Sequence, residues 1–305
     1  MEILCAGELL VDLASLRPAA SLAAAEAFAP HPGGSPANLA ANLTRLGKHA
    51  GLVATVGRDA FGDLLLAHVS RLGLDPTLVA RSDRSPSTVV LVTQTAGTPD
   101  FEVYRGADVE LAWALIERGL DAGPKVFHTT CFALSGLPAR SYLLRAAETF
   151  ARAGGTLSVD ANYAAKVWPD RERARATVRR WAGLGALIKF SDDDWERLYG
   201  EGLTPDNCAE RTRPLLAAGA RAVCCTFGGD GAAVASEAGV ARVTPPPVEV
   251  VDATGAGDSF WAGFLAAYID DRDYETCARA GAAVAAVKLR QRGPLEHALD
   301  YAALL

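Results

Sequence analysis

The stretch VVDATGAGDSF, residues 250–260, places an aspartate directly behind two glycines at the start of a helical pattern. The apolar residues that follow recur at helical spacing, so Gly255 and Gly257 fall at the first turn of the predicted helix. Backbone N–H groups in a first turn have no intrahelical partner, and glycine lets a ligand approach them closely. Together with the positive end of the helix dipole, these donors predict a binding site for an anion such as phosphate.

Anion binding alone does not explain Asp258, because its carboxylate would repel a phosphate bound beside it. The arrangement makes chemical sense if Asp258 faces an alcohol that attacks the phosphorus and accepts the proton of that hydroxyl. We expect the helix end to lower the pKa of Asp258 and to keep it ionised at neutral pH. The spacing leaves a second interpretation open, in which Asp258 is an ordinary first-turn acid and the glycines serve close packing.

The rest of the chain alternates short apolar runs with longer helical patterns, which predicts an α/β fold with a mostly parallel sheet covered on both faces. Predicted strands lie at 2–7, 51–56, 125–130, 156–161, 186–191 and 222–227. Predicted helices lie at 36–46, 59–72, 138–153, 170–184 and 206–218.

Residues 86–105 depart from this alternation of strands and helices. They contain two β-type runs joined by a predicted turn at 95–100, with no helix between them. Residues 12–30 are irregular and rich in small residues. Together the two segments predict a small β flap that covers a site or forms a dimer contact.

The composition narrows the class of protein. At 305 residues, half of them hydrophobic, the chain suits one large α/β domain with a small appendage. The formal net charge of −6 argues against a nucleic-acid-binding protein. The six cysteines contain no CxxC pair and lie mostly in apolar runs, as is typical of reduced intracellular cysteines. The N-terminus resembles a strand rather than a signal peptide, and no apolar run is long enough for a membrane span, so we expect a cytoplasmic protein.

The sequence DATGAGDSF at 252–260 closely resembles the second signature of the ribokinase-like (PfkB-type) sugar kinases, and GGSPANLAANLTRLG at 33–47 resembles their first. The resemblance implies a ribokinase-like three-layer sandwich over residues 1–305, with a mostly parallel central sheet. It implies a small β lid built from roughly 12–32 and 86–105. It also implies phosphoryl transfer from ATP, with Mg²⁺, to a sugar hydroxyl, and many members form a homodimer through the lid.

The resemblance also assigns roles to individual residues. Asp258 matches the catalytic base, and the matching anion hole consists of Gly255, Ala256 and Gly257. The residues that match sugar contacts are Asp12, Gly33, Gly34, Asn38, Arg105 and Asn162. A solvated strand-end acid stays open as an alternative for Asp12, and helix capping stays open for Asn38.

On the nucleotide side, TFGGDG resembles the family's T-x-G-x-x-G element and implicates Thr226, Gly228 and Gly231 in ATP binding. A plain β-turn is the alternative for this element. Lys189 and Ser191 are further candidates for contact with ATP, although a lysine that ends a strand is often merely solvated.

The resemblance implies two sites for metal ions, one at Asp194 and one at Asp252 and Thr254. Asp194 closes SDDD at 191–194, where many members have Asn-x-x-Glu linked to Mg²⁺ through water. Asp252 and Thr254 match positions that bind a monovalent cation such as K⁺ in many members.

The stretch DANYAAKVW at 160–168 departs from a D-P-N-x-R…LW pattern of fructokinases and ketodeoxygluconate kinases. Ala161 replaces the proline, Ala164 replaces the arginine, and Lys166 is the nearby residue that could compensate. Other segments, including GELLVDL and FEVYRGADVEL, look most like fructokinases.

The resemblance therefore favours phosphorylation of a neutral sugar, with fructose first. An aspartate at position 12 would repel an acidic sugar, which disfavours a 2-keto-3-deoxygluconate kinase. Nothing marks an aromatic-lined base pocket, which disfavours a nucleoside kinase. A non-catalytic sugar-binding relative stays open because of Ala164.

Overall fold

The computed structural model describes residues 1–94, 100–291, 293, 295 and 297–304 of the chain. The strands within these residues are β1 (Ile3–Ala6), β2 (Leu10–Pro18), β3 (Phe28–Gly33), β4 (Ala50–Gly57), β5 (Val79–Ser82), β6 (Val89–Gln94), β7 (Phe101–Tyr104), β8 (Val126–Thr130), β9 (Thr156–Asp160), β10 (Leu187–Ser191), β11 (Ala222–Thr226), β12 (Ala232–Ser236) and β13 (Gly239–Val243). The helices are α1 (Ser35–Arg45), α2 (Ala60–Arg71), α3 (Trp113–Asp121), α4 (Cys131–Ser135), α5 (Ala139–Arg152), α6 (Arg171–Gly183), α7 (Asp192–Tyr199), α8 (Cys208–Ala217), α9 (Ala256–Ile269) and α10 (Tyr274–Leu289).

A large sheet forms the centre of the molecule. In the described part of the chain it has nine strands in the order β13-β12-β11-β10-β9-β8-β1-β4-β5. The strands from β11 to β5 in this order run parallel, and β12 and β13 extend the sheet in antiparallel fashion. The predicted mostly parallel sheet is confirmed.

Successive side chains of the parallel strands enter two separate cores. On β1, Ile3 and Cys5 pack with α1, α2, α9 and α10, whereas Leu4 and Ala6 pack with α3, α5, α6 and α8. Because the sheet is buried on both faces, its strands show apolar runs without polar alternation. The predicted three-layer sandwich is therefore confirmed. Among the described residues, none of the helices is both long and apolar enough to cross a membrane.

The six predicted strands are present as β1, β4, β8, β9, β10 and β11, and the five predicted helices as α1, α2, α5, α6 and α8. Two strands, β2 and β3, occupy residues that were predicted to be irregular. Their small and polar residues give no clean alternation, so only pairing with neighbouring strands reveals them. Of the predicted turn at 95–100, residues 95–99 lie outside the described residues.

A second sheet forms the lid, with four described strands in the order β3-β2-β6-β7. Strand β2 pairs antiparallel with β3 and parallel with β6, so the two irregular segments of the sequence join in one sheet. Asp12 lies inside β2, opposite His31 and Val90. Asp12 therefore lies within a lid strand and not at a strand end, because β1 stops at Ala6 and β2 runs from Leu10 to Pro18.

Candidate active site

The glycine-rich stretch forms the start of α9, as predicted. Gly255 precedes the first turn and has φ +73°, a conformation that glycine adopts without strain. A Cβ atom on Gly257 would lie 3.4 Å from Nζ of Lys189, and one on Gly255 would lie 4.0 Å from Oδ2 of Asp258. The ammonium group of Lys189 and the carboxylate of Asp258 therefore both lie close to the first turn of α9.

Asp258 is held by two side chains from α1. Ser35 Oγ donates to Oδ1 at 2.6 Å, and Asn38 Nδ2 donates to Oδ2 at 2.8 Å. The capping alternative for Asn38 is wrong, because Gly34 is the N-cap residue of α1. Burial raises the pKa of Asp258, although both hydrogen bonds and the charge of Lys189 act in the opposite direction. The expected lowering of this pKa is wrong, since the loss of hydration outweighs the favourable partners.

Asp12 lies close enough to Asp258 for their charges to interact. Its Oδ2 atom would lie 2.1 Å from a Cβ atom on Gly33, so the carboxylate rests directly on the glycine backbone. Burial and, to a smaller extent, the negative charge of Asp258 together raise the pKa of Asp12 to about 7. The solvated interpretation of Asp12 is therefore wrong, and the structure brings together Asp12, Gly33 and Asp258.

Gly34 is required by the path of the chain between β3 and α1. Its φ is +108°, and a Cβ atom would lie 2.3 Å from the backbone oxygen of Glu8. Glu8 itself is 2% exposed, and its Oε2 accepts a hydrogen bond from Thr130 Oγ1 at 2.8 Å. Burial raises the pKa of Glu8 to about 8.

The raised pKa of Glu8 predicts a stability that depends on pH. The folded chain retains a proton on Glu8 where the unfolded chain has lost it, so stability falls as pH rises from the ordinary glutamate pKa to about 8. We expect Glu8→Gln to raise the free energy of unfolding by about 3–5 kcal/mol at pH 9 and by much less at pH 5. Denaturant unfolding at the two pH values measures this difference.

The control for Glu8→Gln is Glu172→Gln, since the Glu172 side chain is 80% exposed. Its effect should stay within about 0.5 kcal/mol at both pH values. An equal effect of Glu8→Gln at both pH values would show that Glu8 does not titrate in this range.

Lys189, in the middle of β10, and Asp160, at the end of β9, form a buried ion pair. Nζ of Lys189 lies 2.8 Å from Oδ2 of Asp160, and the side chains are 5% and 4% exposed. The solvated interpretation of Lys189 is therefore wrong. Burial raises the pKa of Asp160 to about 6, and among the described residues its Oδ1 has no hydrogen-bond partner. The pKa of Lys189 is raised, because the charges of Asp160, Asp194 and Asp258 outweigh the effect of burial.

The predicted nucleotide residues lie along neighbouring strand ends. Ser191 is in register with Thr226. It forms a capping box with Asp194, in which the backbone N–H of each residue donates to the side-chain oxygen of the other at 3.0 Å. Gly231 has φ +92°, and a Cβ atom there would lie 2.1 Å from a backbone oxygen of β13, so the turn itself requires this glycine. Gly228 has φ +53° and open space around its Cβ position, which leaves room for a ligand.

The two remaining predicted sugar contacts are Arg105 and Asn162. The Arg105 guanidinium donates to Ser135 Oγ at 2.6 Å, pairs with Asp108 and lies 4.3 Å from the centre of the Phe132 ring. Asn162 follows β9 directly, is exposed and has φ +29°, a region that asparagine tolerates better than most residues. Arg105 is thus fixed by protein groups at the base of the lid.

Lys166 joins the segment after β9 to the lid. Its Nζ donates to Asp100 Oδ1 at 3.2 Å and to the backbone oxygen of Phe101 at 2.7 Å. Its ammonium group is therefore bound by lid residues, and compensation for Ala164 stays a prediction.

Asp252 and Thr254 lie in the loop that leads into α9. Asp252 Oδ1 accepts the Thr254 N–H at 2.9 Å, and Oδ2 accepts the Gly293 N–H at 3.0 Å. The buried Lys288 donates to the backbone oxygen of Asp252 at 3.0 Å. The position that the resemblance assigns to a monovalent cation thus already contains a charged lysine.

Comparison with known proteins decides the family. Residues 1–299 match the pfkB family carbohydrate kinases. The chain belongs to this family. It is 32% identical over 294 residues to the ATP-dependent 6-phosphofructokinase of Thermoanaerobacterium thermosaccharolyticum, covering 96% of this chain and 89% of that protein. It is 32% identical over 269 residues to probable fructokinase-4 of Arabidopsis thaliana, covering 87% and 82%.

Solved structures agree with this assignment. The fructokinase of Halothermothrix orenii superposes with a TM-score of 0.79 at 31% identity, covering 94% of this chain and 98% of that one. This pfkB kinase is therefore an ATP-dependent sugar kinase with the ribokinase-like fold that its two signatures predicted.

Three residues that contact the candidate site were missed by the sequence analysis: Ser35, Asp160 and Lys288. Ser35 lies inside the first signature and Asp160 opens DANYAAKVW, so the motifs contained a signal for both. Lys288 lies in an Ala-rich helix, 36 residues from its partner Asp252. No local sequence pattern predicts a contact between two residues so far apart in the chain.

Proposed function

We propose that this pfkB kinase phosphorylates a primary hydroxyl of a neutral sugar, with fructose as the leading candidate. The observation that carries the proposal is the pair of carboxylates, Asp12 from the lid and Asp258 from the glycine-rich start of α9, which interact electrostatically. The fructokinase names of the Arabidopsis and Halothermothrix relatives support the same substrate class.

On the acceptor side, Asp12 and Asn38 would accept and donate hydrogen bonds to sugar hydroxyls over the backbone of Gly33 and Gly34. A carboxylate is a strong acceptor for hydroxyl donors, since charge-assisted hydrogen bonds are the stronger class. Asn162 and Arg105 would complete the sugar site from the strand end and the lid base.

Asp258 would act as the base. Its two oxygens are oriented by Ser35 and Asn38, and its raised pKa makes it a better proton acceptor than an ordinary aspartate. The N–H groups at Gly255, Ala256 and Gly257 would stabilise charge that develops on the transferred group. The loose transition state of phosphoryl transfer makes this positioning more important than the strength of the base.

The residues present fit ATP and Mg²⁺. Open space at Gly228, the buried positive charge of Lys189 and the start of α9 would receive a nucleotide and its phosphates. Among the described residues no cluster of three or more His, Cys, Asp or Glu could hold a metal alone, which agrees with Mg²⁺ held mainly by nucleotide phosphates and water. Asp194 and Ser191 would contact that water shell, and bound Mg²⁺ would neutralise phosphate charge.

Acidic acceptors are disfavoured by the same geometry. The carboxylates of Asp12 and Asp258 would repel both the carboxylate of 2-keto-3-deoxygluconate and the phosphate group of fructose 6-phosphate. Arg105, which is paired with Asp108, would offer little excess positive charge to offset this repulsion. Because one relative is an ATP-dependent 6-phosphofructokinase, fructose 6-phosphate has to be tested as an acceptor beside the neutral sugars.

An ADP-release assay with ATP and Mg²⁺ tests the proposal on fructose, ribose, tagatose, 2-keto-3-deoxygluconate, fructose 6-phosphate and inosine. We expect turnover on a neutral sugar, and Asp12→Asn should raise its KM by about 10- to 100-fold through loss of a charged hydrogen-bond acceptor. The control is Glu102→Gln, a lid carboxylate whose side chain is 51% exposed. Preference for either acidic sugar would contradict the role given to Asp12.

We also propose that residues 1–305 form one kinase domain and that the lid mediates a homodimer. The exposed side chains of Leu16 on β2 and Tyr104 on β7, at 60% and 62%, support an interface on this sheet. Both statements stay predictions.

A further inference from the structure

Lys288 is a buried lysine whose ammonium group is fully hydrogen-bonded by protein oxygens. It lies in the last turn of α10 and is 2% exposed. Nζ donates to the backbone oxygen of Asp252 at 3.0 Å, to Asp252 Oδ2 at 3.4 Å and to the backbone oxygen of Gln291 at 3.4 Å. A lysine ammonium has three donors, so these three acceptors satisfy it.

The oxygens around Lys288 belong to the segments that support the anion-binding loop. Asp252 also accepts the N–H groups of Thr254 and Gly293, so one side chain joins the end of α10 to the loop before α9. Gly255, the N-cap of α9, lies three residues after Asp252. Displacement of Asp252 would therefore change the direction of the N–H groups that face the phosphate.

A monovalent metal ion does not fit this arrangement. Ions such as K⁺ are held by several oxygens that replace their hydration shell. Here the backbone oxygen and Oδ2 of Asp252 already bind an ammonium group of the same charge. A second cation on these oxygens would lie within a few ångströms of Nζ, where like charges in a poorly hydrated site repel strongly.

We propose that Lys288 is a built-in cation that takes the place of a monovalent metal ion beneath the anion-binding loop, so that this kinase works without K⁺. Lys288 is a positioning residue, because its contacts are with Asp252 and Gln291 and it would act through Asp252 on the anion-binding loop. The inference rests on the role proposed for the 255–258 loop, but the site itself is defined by the contacts of Lys288.

The unmodified enzyme provides the first test. Activity and Tm are measured in KCl, NaCl and choline chloride at one ionic strength, with ATP supplied free of potassium. We expect rates within about twofold and equal Tm values, since a cation that does not bind shifts nothing. A marked loss of rate in choline, or a Tm raised specifically by K⁺, would overturn the proposal.

The variant Lys288→Met removes the charge and leaves its oxygen acceptors in place. In choline chloride we expect about a 10²-fold loss of kcat, because the anion loop is no longer held in position. K⁺ or NH₄⁺ should then restore activity at least about tenfold and raise the Tm by a few degrees, as expected for binding to the folded state. A merely structural lysine would show neither rescue.

Lys125→Met is the matched control, because Lys125 also donates to a backbone oxygen, that of Ile269 at 3.0 Å, at the opposite end of α9. It should show no cation response. If Lys288→Met is folded and no cation changes its rate or Tm, the proposal is wrong; if it does not fold, the unmodified enzyme decides. Because the Tm measurement needs no sugar, an error in the proposed substrate would not affect this result.

Discussion

Replacement of Asp258 by Asn is expected to lower kcat by about 10²–10⁴-fold, the range for loss of a general base, while the KM for the sugar stays within severalfold. Asn has nearly the same shape, and its oxygen can still accept from Ser35, so the start of α9 should persist. The lost function is proton acceptance from the attacking hydroxyl. Steady-state kinetics on the best sugar, with binding of that sugar measured separately, tests the expectation.

The same helix supplies the control. Asp270 is the C-cap of α9 and pairs with Lys48, so Asp270→Asn removes a carboxylate from the opposite end. It should leave kcat within about twofold, as is usual for surface substitutions. Near-normal kcat in Asp258→Asn would show that another group is the base. An unmodified enzyme that binds sugar and turns over no acceptor would instead favour the non-catalytic alternative.

The pH profile gives an independent measure of Asp258. Burial raises its pKa. On the acid side of the profile, kcat/KM should therefore decline with a midpoint above the ordinary aspartate pKa. Asp12, with a pKa of about 7, titrates in the same cleft, and the decline therefore reports the pair of carboxylates. Asp12→Asn should move the midpoint to lower pH, because it removes a neighbouring negative charge.

The start of α9 could be predicted from the sequence because its determinants are local. Helical periodicity, first-turn glycines and a single aspartate lie within one short stretch, and the structure places them as expected. The parallel strands were equally predictable, since burial on both faces removes all polar alternation. The two signatures resembled those of the family that the comparison with known proteins then showed.

The environment of the charged residues could not be predicted in this way. Asp258 was expected to have a lowered pKa from its helix position, yet the protein around it removes enough water to raise the pKa. Lys189 was compatible with a solvated strand end, and only the register of β9 and β10 places Asp160 beside it. Burial and pairing between distant segments are properties of the folded chain, so a local pattern carries little information about them.

Replacement of Lys189 by Met is expected to lower the free energy of unfolding by about 3–5 kcal/mol at pH 8, because it leaves Asp160 buried without its partner. The cost should be smaller at pH 5. Asp160 has a pKa raised to about 6 even with Lys189 present, and removal of the lysine raises it further, so the protonated and uncharged form prevails at low pH. Denaturant unfolding at the two pH values measures both effects.

The double variant Lys189→Met/Asp160→Asn separates stability from catalysis. With neither charge buried, we expect most of the lost stability to return. The control Lys48→Met breaks a partly exposed ion pair and should cost less than about 1 kcal/mol.

Activity should not return with stability in the double variant. Nζ of Lys189 lies beside Gly257, so its charge would act on the phosphate held by the anion loop, and loss of one such group lowers kcat by about 10²–10³-fold. A stable double variant with full kcat would mean that Lys189 serves only to balance Asp160. A stable double variant with low kcat would place the ion pair in the catalytic machinery, with Asp160 holding the lysine where the phosphate binds.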